Sequence, residues 1–409
     1  MRWYYGWNVI GVALLFQAII MGTGLYTFTF WVTPWMEEFH TSRAEIMTAV
    51  VAATLMMGFM APFAGWAMDR FSIRLLVCIG GMCCALSFAL ISVTTAFWQI
   101  ILIYATLVSG GFILSGTVAG QVLAAKWFFR RKGFALGIVT AGSSVGGILL
   151  PPLVAYLLIN FGWRDAHMIL AVLVLLIVIP PTWLIVRNNP KDKGVEPEPS
   201  GTQTDRALPF GNEHKWTIKQ ILSQRVFWII AISIMIPTGC TLALLQNLGP
   251  ISLDLGFHPQ QASFLVSIIS GALIAGKIVF GGLTDRWDIR YLYWISLSLF
   301  GISMILMMGI PGYAMMMVLC ALFGFAAGSH LPLLGVMISN QFGPQSFGQI
   351  IGMVYPIVNL NIFTAMLMGA IRDHTGSYND AFLVFTLALI PVAIIMVALP
   401  NQTKPQALA

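Results

Sequence analysis

Long apolar stretches recur at regular intervals along the whole of this 409-residue chain. A helix of about 20 apolar residues crosses the hydrocarbon core of a bilayer, and lipid offers no partner to the backbone amides of any open, irregular segment. The pattern predicts twelve membrane-spanning helices, at residues 8–34, 45–67, 74–94, 98–122, 133–158, 165–187, 225–252, 260–283, 290–310, 313–338, 347–370 and 379–399. We therefore expect an all-α membrane protein.

Composition supports this expectation. Charged residues make up 9% of the chain and hydrophobic residues 58%, whereas soluble proteins usually carry about 25% charged residues. So few charges cannot cover a surface that faces water. The first apolar run is also too long for the core of a cleavable signal peptide.

Successive loops between the predicted spans lie on opposite sides of the membrane. Lysine and arginine are distributed unequally between these two sides. Seventeen lie on the side of the two termini and three on the other side, and one lies within a span. Because short cationic loops stay in the cytoplasm, we expect both termini to be cytoplasmic, in the inner membrane of a bacterium. The three exceptions are Arg43, Arg164 and Arg372.

Residues 188–224 are polar and contain several charged residues, prolines and glycines. This composition is typical of a linker rather than of a packed domain. We therefore expect an N-terminal six-helix bundle (1–187), a cytoplasmic linker (188–224) and a C-terminal six-helix bundle (225–409).

A short motif occurs once in each half. Residues 65–74 and 281–290 share the pattern G-x-x-x-D-R-x-x-x-R, with an offset of 216 residues at each fixed position. Repetition at a fixed offset indicates duplicated architecture. The charged residues of the motif either gate the cytoplasmic side through salt bridges or only fix the topology. They are Asp69, Arg70, Arg74, Asp285, Arg286 and Arg290.

This motif resembles the loop signature of the major facilitator superfamily, with Ser72 and Asp288 where that signature often has glycine. Residues 127–146, WFFRRKGFALGIVTAGSSVG, are similar to the segment before the fifth helix of monocarboxylate-transporter-like members, and residues 5–7 and 42–44 also fit that group. The resemblance covers nearly the whole chain and extends more distantly to oxalate transporters. It implies a monomer with two six-helix bundles that alternate access to a substrate near the midplane.

The second half departs from this pattern. Residues 340–348, NQFGPQSFG, are neutral where the matching segment of the first half is basic. We therefore expect a symmetric gate to be weakened there.

Lys277 is the one charged residue in the middle of a span. A lysine at a helix centre costs about 2.5–3.5 kcal/mol on insertion scales, and the spans hold no carboxylate to pair with it. The matching position of the first half is Ala61. Either Lys277 binds a substrate carboxylate, or its side chain extends toward Asp285, about 12 Å away at 1.5 Å per residue.

The resemblance supports the first alternative. Monocarboxylate and oxalate transporters carry an arginine four residues before a glycine in the eighth helix, which is the relation of Lys277 to Gly281. Lysine presents a compact, strongly hydrated charge instead of the two-pronged arginine fork. Oxalate transporters also carry a second cation in the eleventh helix, and residues 347–370 contain neither lysine nor arginine. The charge balance therefore favours a monoanion.

Proton coupling has two candidates, because no acidic residue lies at mid-membrane. One is His330, taken as the only histidine well inside a span, and the other is Lys277 itself. A neutral, hydrogen-bonded His330 is the alternative. Other polar residues in the spans either contact the substrate or join helices. The preferred substrate contacts are Asn247, Asn361, Tyr355, Tyr26 and Tyr104, and the wider set includes Gln17, Thr27, Gln246 and Asn359.

These features predict a proton-coupled symporter of a small monocarboxylate such as lactate or pyruvate. The alternative is a transporter of larger amphipathic organic compounds, such as drugs, siderophores or aromatic acids. A membrane-embedded enzyme is disfavoured, since the sequence shows no nucleophile–base pair. The five cysteines lie in apolar runs without zinc-like spacing and are expected to be free thiols. We expect no cofactor, metal or nucleic-acid partner.

Overall fold

The computed structural model describes residues 3–195, 216–309 and 312–400, and over these residues its regular elements are all helical. Eleven of the described helices are long and apolar enough to cross a membrane. The longest, Lys132–Ile185, has 54 residues, or about 80 Å at 1.5 Å per residue, against a hydrocarbon core of about 30 Å. Gly162 interrupts it with φ 75° and ψ 171°, so this helix comprises two spans.

The spans are numbered α1 to α12 in chain order. The first four are Gly6–Phe39, Arg43–Arg70, Ile73–Ser92 and Phe97–Trp127. The parts of Lys132–Ile185 before and after Gly162 are α5 and α6. The last six, α7 to α12, are Arg225–Asp254, Gln260–Leu283, Ile289–Met307, Tyr313–Phe342, Phe347–Thr375 and Tyr378–Ala398.

The predicted all-α fold is confirmed, and the differences lie at the ends of the spans. The first span was expected to end at residue 34, and α1 continues to Phe39. Its extra residues include Glu37 and Glu38, because a helix can continue through polar residues once it has left the hydrocarbon.

The helices group into two compact units. The first unit contains the described residues of 1–130, 138–201 and 344–356, and the second contains those of 131–137, 202–343 and 357–409. The first residues of α5 belong to the second unit and those of α11 to the first, which differs from the predicted halves. The predicted division at the linker stays a prediction. The linker residues 196–215 lie outside the described residues, as do Arg2 and Lys404.

Polar side chains fix where helices begin. Ser42 accepts a hydrogen bond from the amide of Glu45 at 3.2 Å, and the Glu45 carboxylate accepts one from the amide of Ser42 at 2.8 Å, at the start of α2. Asp288 accepts the amide of Arg290 at 2.9 Å at the start of α9. Since the first amides of a helix have no partner within it, these bonds set the points at which the chain enters a span.

Four of the described spans depart from a regular α-helix before their last turn: α1, α4, α10 and α11. Their irregular segments are two π-helical turns, two breaks and one 3₁₀ turn, at Gly22–Tyr26, Tyr104–Val108, Gly116, residues 328–329 and Asn359–Asn361. Irregular backbone at membrane depth is tolerated only where it is buried in protein or lines a cavity, and π-helical turns often lie at functional sites. Binding groups are therefore expected near these segments.

Glycine allows the closest contacts between spans within each unit. In the second unit, a Cβ at Gly276 of α8 would overlap the carbonyl oxygen of Phe325 in α10. In the first unit, a Cβ at Gly146 of α5 would overlap the carbonyl oxygen of Ala18 in α1. Small residues at such contacts supply the van der Waals packing that holds helices together in lipid.

Replacing Gly276 by alanine tests this packing. The added methyl group meets the backbone of Phe325, which cannot rotate away, so we expect Gly276→Ala to destabilise the fold by about 1–3 kcal/mol. Gly271 of the same helix is the matched control, since nothing lies within 4 Å of a Cβ there. Thermal unfolding in detergent, followed by tryptophan fluorescence, should show a lower Tm for Gly276→Ala alone. Equal Tm values for the two variants would contradict the close approach.

Candidate functional site

Lys277 lies inside α8 with 5% of its surface exposed. A Cβ at Gly137, near the start of α5, would overlap the Lys277 carbonyl oxygen. A Cβ at Gly328, at the break of α10, would lie 2.8 Å from the Lys277 amide nitrogen. Two other helices thus approach the backbone of Lys277 as closely as glycine allows. Backbone packing therefore fixes the position of this buried cation.

Asp285 binds the first amides of α5. It is the carboxylate toward which the Lys277 side chain extends in the alternative interpretation. It accepts hydrogen bonds from the amide of Gly133 at 2.7 Å and from the amide of Phe134 at 3.0 Å. These are among the first amides of α5, where negative charge is favourable. Asp285 therefore stabilises the N-terminal end of α5. Because its carboxylate oxygens already accept these hydrogen bonds, the geometry favours a Lys277 side chain that stays buried within α8.

The other copy of the repeated motif makes the same kind of contact. Asp69 accepts hydrogen bonds from the amide of Gly348 at 3.1 Å and from the amide of Gln349 at 2.7 Å, at the start of α11. The two contacts are alike although segment 340–348 is neutral, and whether they form a symmetric gate stays a prediction. The partners of Asp69 are backbone amides, which are present whatever the side chains are.

The arginines of the first motif copy lie over tryptophan rings. The Arg70 guanidinium is 4.7 Å from the ring centre of Trp66, and that of Arg74 is 4.4 Å from the ring centre of Trp183. Tryptophan and arginine are common at the boundary between hydrocarbon and water. These contacts favour an anchoring role for the two arginines, and their part in gating stays a prediction.

In the second copy of the motif, an ion pair stabilises the loop between α8 and α9. Arg290 contacts Asp288 at 2.9 Å. Partial burial raises the pKa of Asp288, but the hydrogen bonds and the charge of Arg290 outweigh it and lower that pKa below its ordinary value. Arg286 is exposed in the same loop. Here the arginine stabilises the turn into α9.

The two preferred asparagines have different surroundings. The side-chain nitrogen of Asn247 in α7 donates to the carbonyl oxygens of Ala243 at 2.9 Å and of Ala365, in α11, at 3.2 Å. Both of its hydrogens are used, which makes Asn247 a link between two helices. Asn361 lies in the 3₁₀ turn of α11 and is half-buried, so it remains the better placed of the two for a ligand.

Asn359 is a candidate that the sequence did not favour. Its side-chain nitrogen is buried and has no hydrogen-bond partner among the described residues. A buried amide donor of this kind suits a carboxylate or carbonyl oxygen. The 3₁₀ turn at Asn359–Asn361 changes which side chains of α11 share a face, and a regular helical pattern does not reveal this.

Tyr26 and Tyr104 differ in accessibility. Tyr26 lies in the π-helical turn of α1, is 38% exposed and faces Ser143 of α5. Tyr104 is 3% exposed and contacts Phe28 and Trp35, with ring centres 5.6 and 6.2 Å away. Tyr26 can therefore meet a solute, whereas the position of Tyr104 favours a packing role.

Tyr355 belongs to a polar group in the first unit. Its hydroxyl is buried and faces Thr117 of α4 without an aligned hydrogen bond. Thr117 in turn accepts a hydrogen bond from Gln17 of α1 at 3.1 Å. Three irregular spans thus bring uncharged polar side chains together.

His330 follows the break in α10 and is 2% exposed. Its ring packs edge-on against Phe300 of α9, with centres 5.5 Å apart. Nε2 makes no hydrogen bond to any described residue. A protonated imidazole donates from both nitrogens, so these surroundings favour a neutral His330.

A second histidine is equally buried. His167, near the start of α6, has no exposed surface. Its Nδ1 lies 2.7 Å from the carbonyl oxygen of Trp163, and its ring centre lies 4.1 Å from that of Trp31. His167 lies only five residues after the interruption at Gly162, so it is buried at the start of its span. The prediction that His330 is the only histidine well inside a span is therefore not contradicted by His167.

Comparison with known proteins shows the family. Residues 14–251 and 238–408 match the profile of the Major Facilitator Superfamily, and the chain belongs to this superfamily of membrane transporters. Monocarboxylate transporter 12 of Rattus norvegicus is 26% identical, over 96% of this chain and 85% of that protein. The MFS-type transporter YcxA of Bacillus subtilis (strain 168) is 24% identical, over 96% of this chain and 93% of that protein.

A solved structure shows the same fold. The MFS proton:xylose symporter XylE aligns with a TM-score of 0.74 over 98% of this chain and 97% of that chain, at 14% sequence identity. The fold and the monocarboxylate-transporter-like resemblance inferred from the motifs are confirmed.

Amide hydrogen exchange tests the two carboxylate contacts separately. Asp285→Asn keeps the shape of the side chain but removes its charge, so the amides of Gly133 and Phe134 should exchange about tenfold faster. Asp69→Asn should have this effect on the amides of Gly348 and Gln349 instead. Each variant is the control for the other. Uniform acceleration by both variants would show general unfolding and would contradict a local contact.

Proposed function

We propose that this protein is a secondary active transporter that carries a small monocarboxylate together with a proton by alternating access. The observation that carries the proposal is Lys277, a cation buried within α8, six residues before the end of that helix. Ionisable residues inside spans are costly and mark substrate or ion pathways. A carboxylate of the substrate is chemically complementary to the lysine side chain. Relatives named monocarboxylate transporters support this class of substrate.

Charge balance supports a monoanion. Along α11 the first cation is Arg372, at the far end of the helix, where it contacts Asp254 at 3.2 Å. Lys132, at the start of α5, donates to the hydroxyl of Ser339 at 2.6 Å. A dicarboxylate at Lys277 would carry a second charge for which α11 provides no cation near its middle, so a single carboxylate is the better match.

A proton is needed for electroneutral movement of an anion. Protonated Lys277 binds a carboxylate and becomes part of a neutral complex, and lysine, unlike arginine, can release its proton afterwards. His330 is the second candidate for proton coupling, although its apolar surroundings favour the neutral ring. Lys277 therefore serves both the anion and the proton.

The contacts of Asp69 and Asp285 provide a gate in this proposal. For the start of α11 or of α5 to move, two amides must leave their carboxylate, so each contact stabilises one conformation. Arg70, Arg74 and the Arg286–Arg290 loop keep these ends at the membrane boundary. In this proposal these ends and both termini are cytoplasmic, which the cation distribution supports, and the membrane is a bacterial inner membrane. The transporter acts as a monomer.

Transport by Lys277→Ala tests the proposal. In proteoliposomes that contain a pH-sensitive dye, an inward gradient of lactate or pyruvate should acidify the interior with wild-type protein. The variant should lower this rate about 30-fold or more, because the carboxylate loses its charged partner. Lys219→Ala is the matched control, since Lys219 is exposed on the short linker helix Ile218–Ser223.

The outcomes separate the candidate functions. If Lys277→Ala folds and transports as well as wild type, Lys277 is not the anion site. If no small carboxylate moves protons with wild-type protein, the monocarboxylate proposal is wrong. Transport of larger amphipathic compounds would then be the function to test.

A further inference from the structure

An ion pair joins the end of α1 to the start of α6 in the first unit. Glu38 lies in the last turn of α1, and Arg164 follows the interruption at Gly162 by two residues. The guanidinium of Arg164 contacts the carboxylate of Glu38 at 2.9 Å. It also donates hydrogen bonds of 2.9 Å to the carbonyl oxygens of Ser92 and Thr94, at the end of α3. One side chain thus joins the ends of three spans.

The second unit carries an ion pair of the same kind. Asp254 is the last residue of α7, and Arg372 lies in the last turn of α11. The guanidinium of Arg372 contacts the carboxylate of Asp254 at 3.2 Å and that of its neighbour Asp373 at 3.5 Å. In both units, therefore, an arginine near the turn between the fifth and sixth helices of a half binds an acidic residue at the end of the first helix of that half.

The two acidic residues are related by the offset of the repeated motif. Glu38 and Asp254 are 216 residues apart, like the two copies of the motif. Two residues after each of them the backbone is left-handed, with φ 51° at His40 and φ 78° at Gly256. This conformation is uncommon for a residue other than glycine. Since repetition at a fixed offset indicates duplicated architecture, the acidic end of the first helix belongs to the architecture that both halves share.

The two arginines are exceptions to the cation distribution. Arg164 and Arg372 are two of the three cations expected on the side opposite both termini, here called the outer side, where short loops carry few cations. Each is matched by a carboxylate of its own unit and lies near an aromatic ring, 4.3 Å from the ring centre of Trp163 and 5.9 Å from that of Tyr378. A partly exposed ion pair contributes little to overall stability. The contacts therefore matter chiefly for where they hold the helix ends.

We propose that the ion pairs Glu38–Arg164 and Asp254–Arg372 are two equivalent struts, each of which keeps the outer end of the first helix of a half on the turn between its fifth and sixth helices throughout transport. Alternating access is largely a rigid-body movement of one helix bundle against the other. A first helix with a free outer end would not follow its bundle. A strut stays closed through the cycle, whereas a gate opens in each cycle. The inference goes beyond the proposed function and holds for any transported solute.

Amide hydrogen exchange of the full-length protein in detergent tests the struts without a substrate. Glu38→Gln removes the charge of the carboxylate, so the amides of residues 36–39 should exchange about threefold faster, because the end of α1 is no longer held. Glu37→Gln is the matched control, since Glu37 is an exposed carboxylate in the same turn, and it should leave these amides unchanged. Asp254→Asn should accelerate exchange at residues 251–254 instead.

A covalent link distinguishes a strut from a gate. In a variant that combines Glu38→Cys with Arg164→Cys, a bis-maleimide reagent connects the two positions of the ion pair. Without the reagent, loss of the ion pair should slow lactate uptake by proteoliposomes about threefold. Linking should restore the rate, because the first helix is again held on its own half. Wild-type protein treated with the same reagent is the control for reaction at its own cysteines.

The inference and the proposed function fail in different ways. Unchanged exchange at residues 36–39 in folded Glu38→Gln, or equal acceleration by Glu37→Gln, would overturn the strut. Arrest of uptake by the covalent link, with wild-type protein unaffected by the reagent, would also overturn it and would identify a gate. If wild-type protein moves no small monocarboxylate, the proposed function is wrong, and the exchange measurements still decide the inference.

Discussion

Hydrocarbon offers no partner to an isolated charge or to a backbone amide outside a regular element, and the rest of this structure follows from that constraint. The chain crosses the membrane as helices, and nearly all its charges lie at their ends. Each departure inside a span then calls for a specific explanation. Lys277 is such a departure in charge, and the breaks of α4 and α10 are departures in backbone.

At the starts of α5 and α11, the partners of a carboxylate are backbone amides rather than other side chains. Asp69 and Asp285 each accept two amides at the start of another helix. Such contacts need close approach, and Gly133 and Gly348 allow it because they have no side chain. The carboxylates are thus matched to helix N-termini, where the partial positive charge of the first amides favours them.

The sequence was sufficient for the fold because twelve apolar runs leave few alternatives in a membrane. It was also sufficient to single out Lys277, since one charge among apolar residues is conspicuous. It could not identify the partners of Asp69, because a backbone amide has no signature in the sequence. It also ranked Asn361 above Asn359. The 3₁₀ turn of α11 changes which side chains share a face of the helix, and such a turn does not follow from a regular periodicity.

Whether Lys277 holds a substrate carboxylate is tested most directly by equilibrium binding. Isothermal titration of the purified protein with lactate and with lactamide, its uncharged amide, compares two ligands of similar shape that differ in charge. Lactate should bind wild-type protein, lactamide should not, and Lys277→Ala should lose the binding of lactate. Equal binding of the two ligands, or unchanged binding of lactate by a folded Lys277→Ala variant, would contradict a carboxylate site at Lys277.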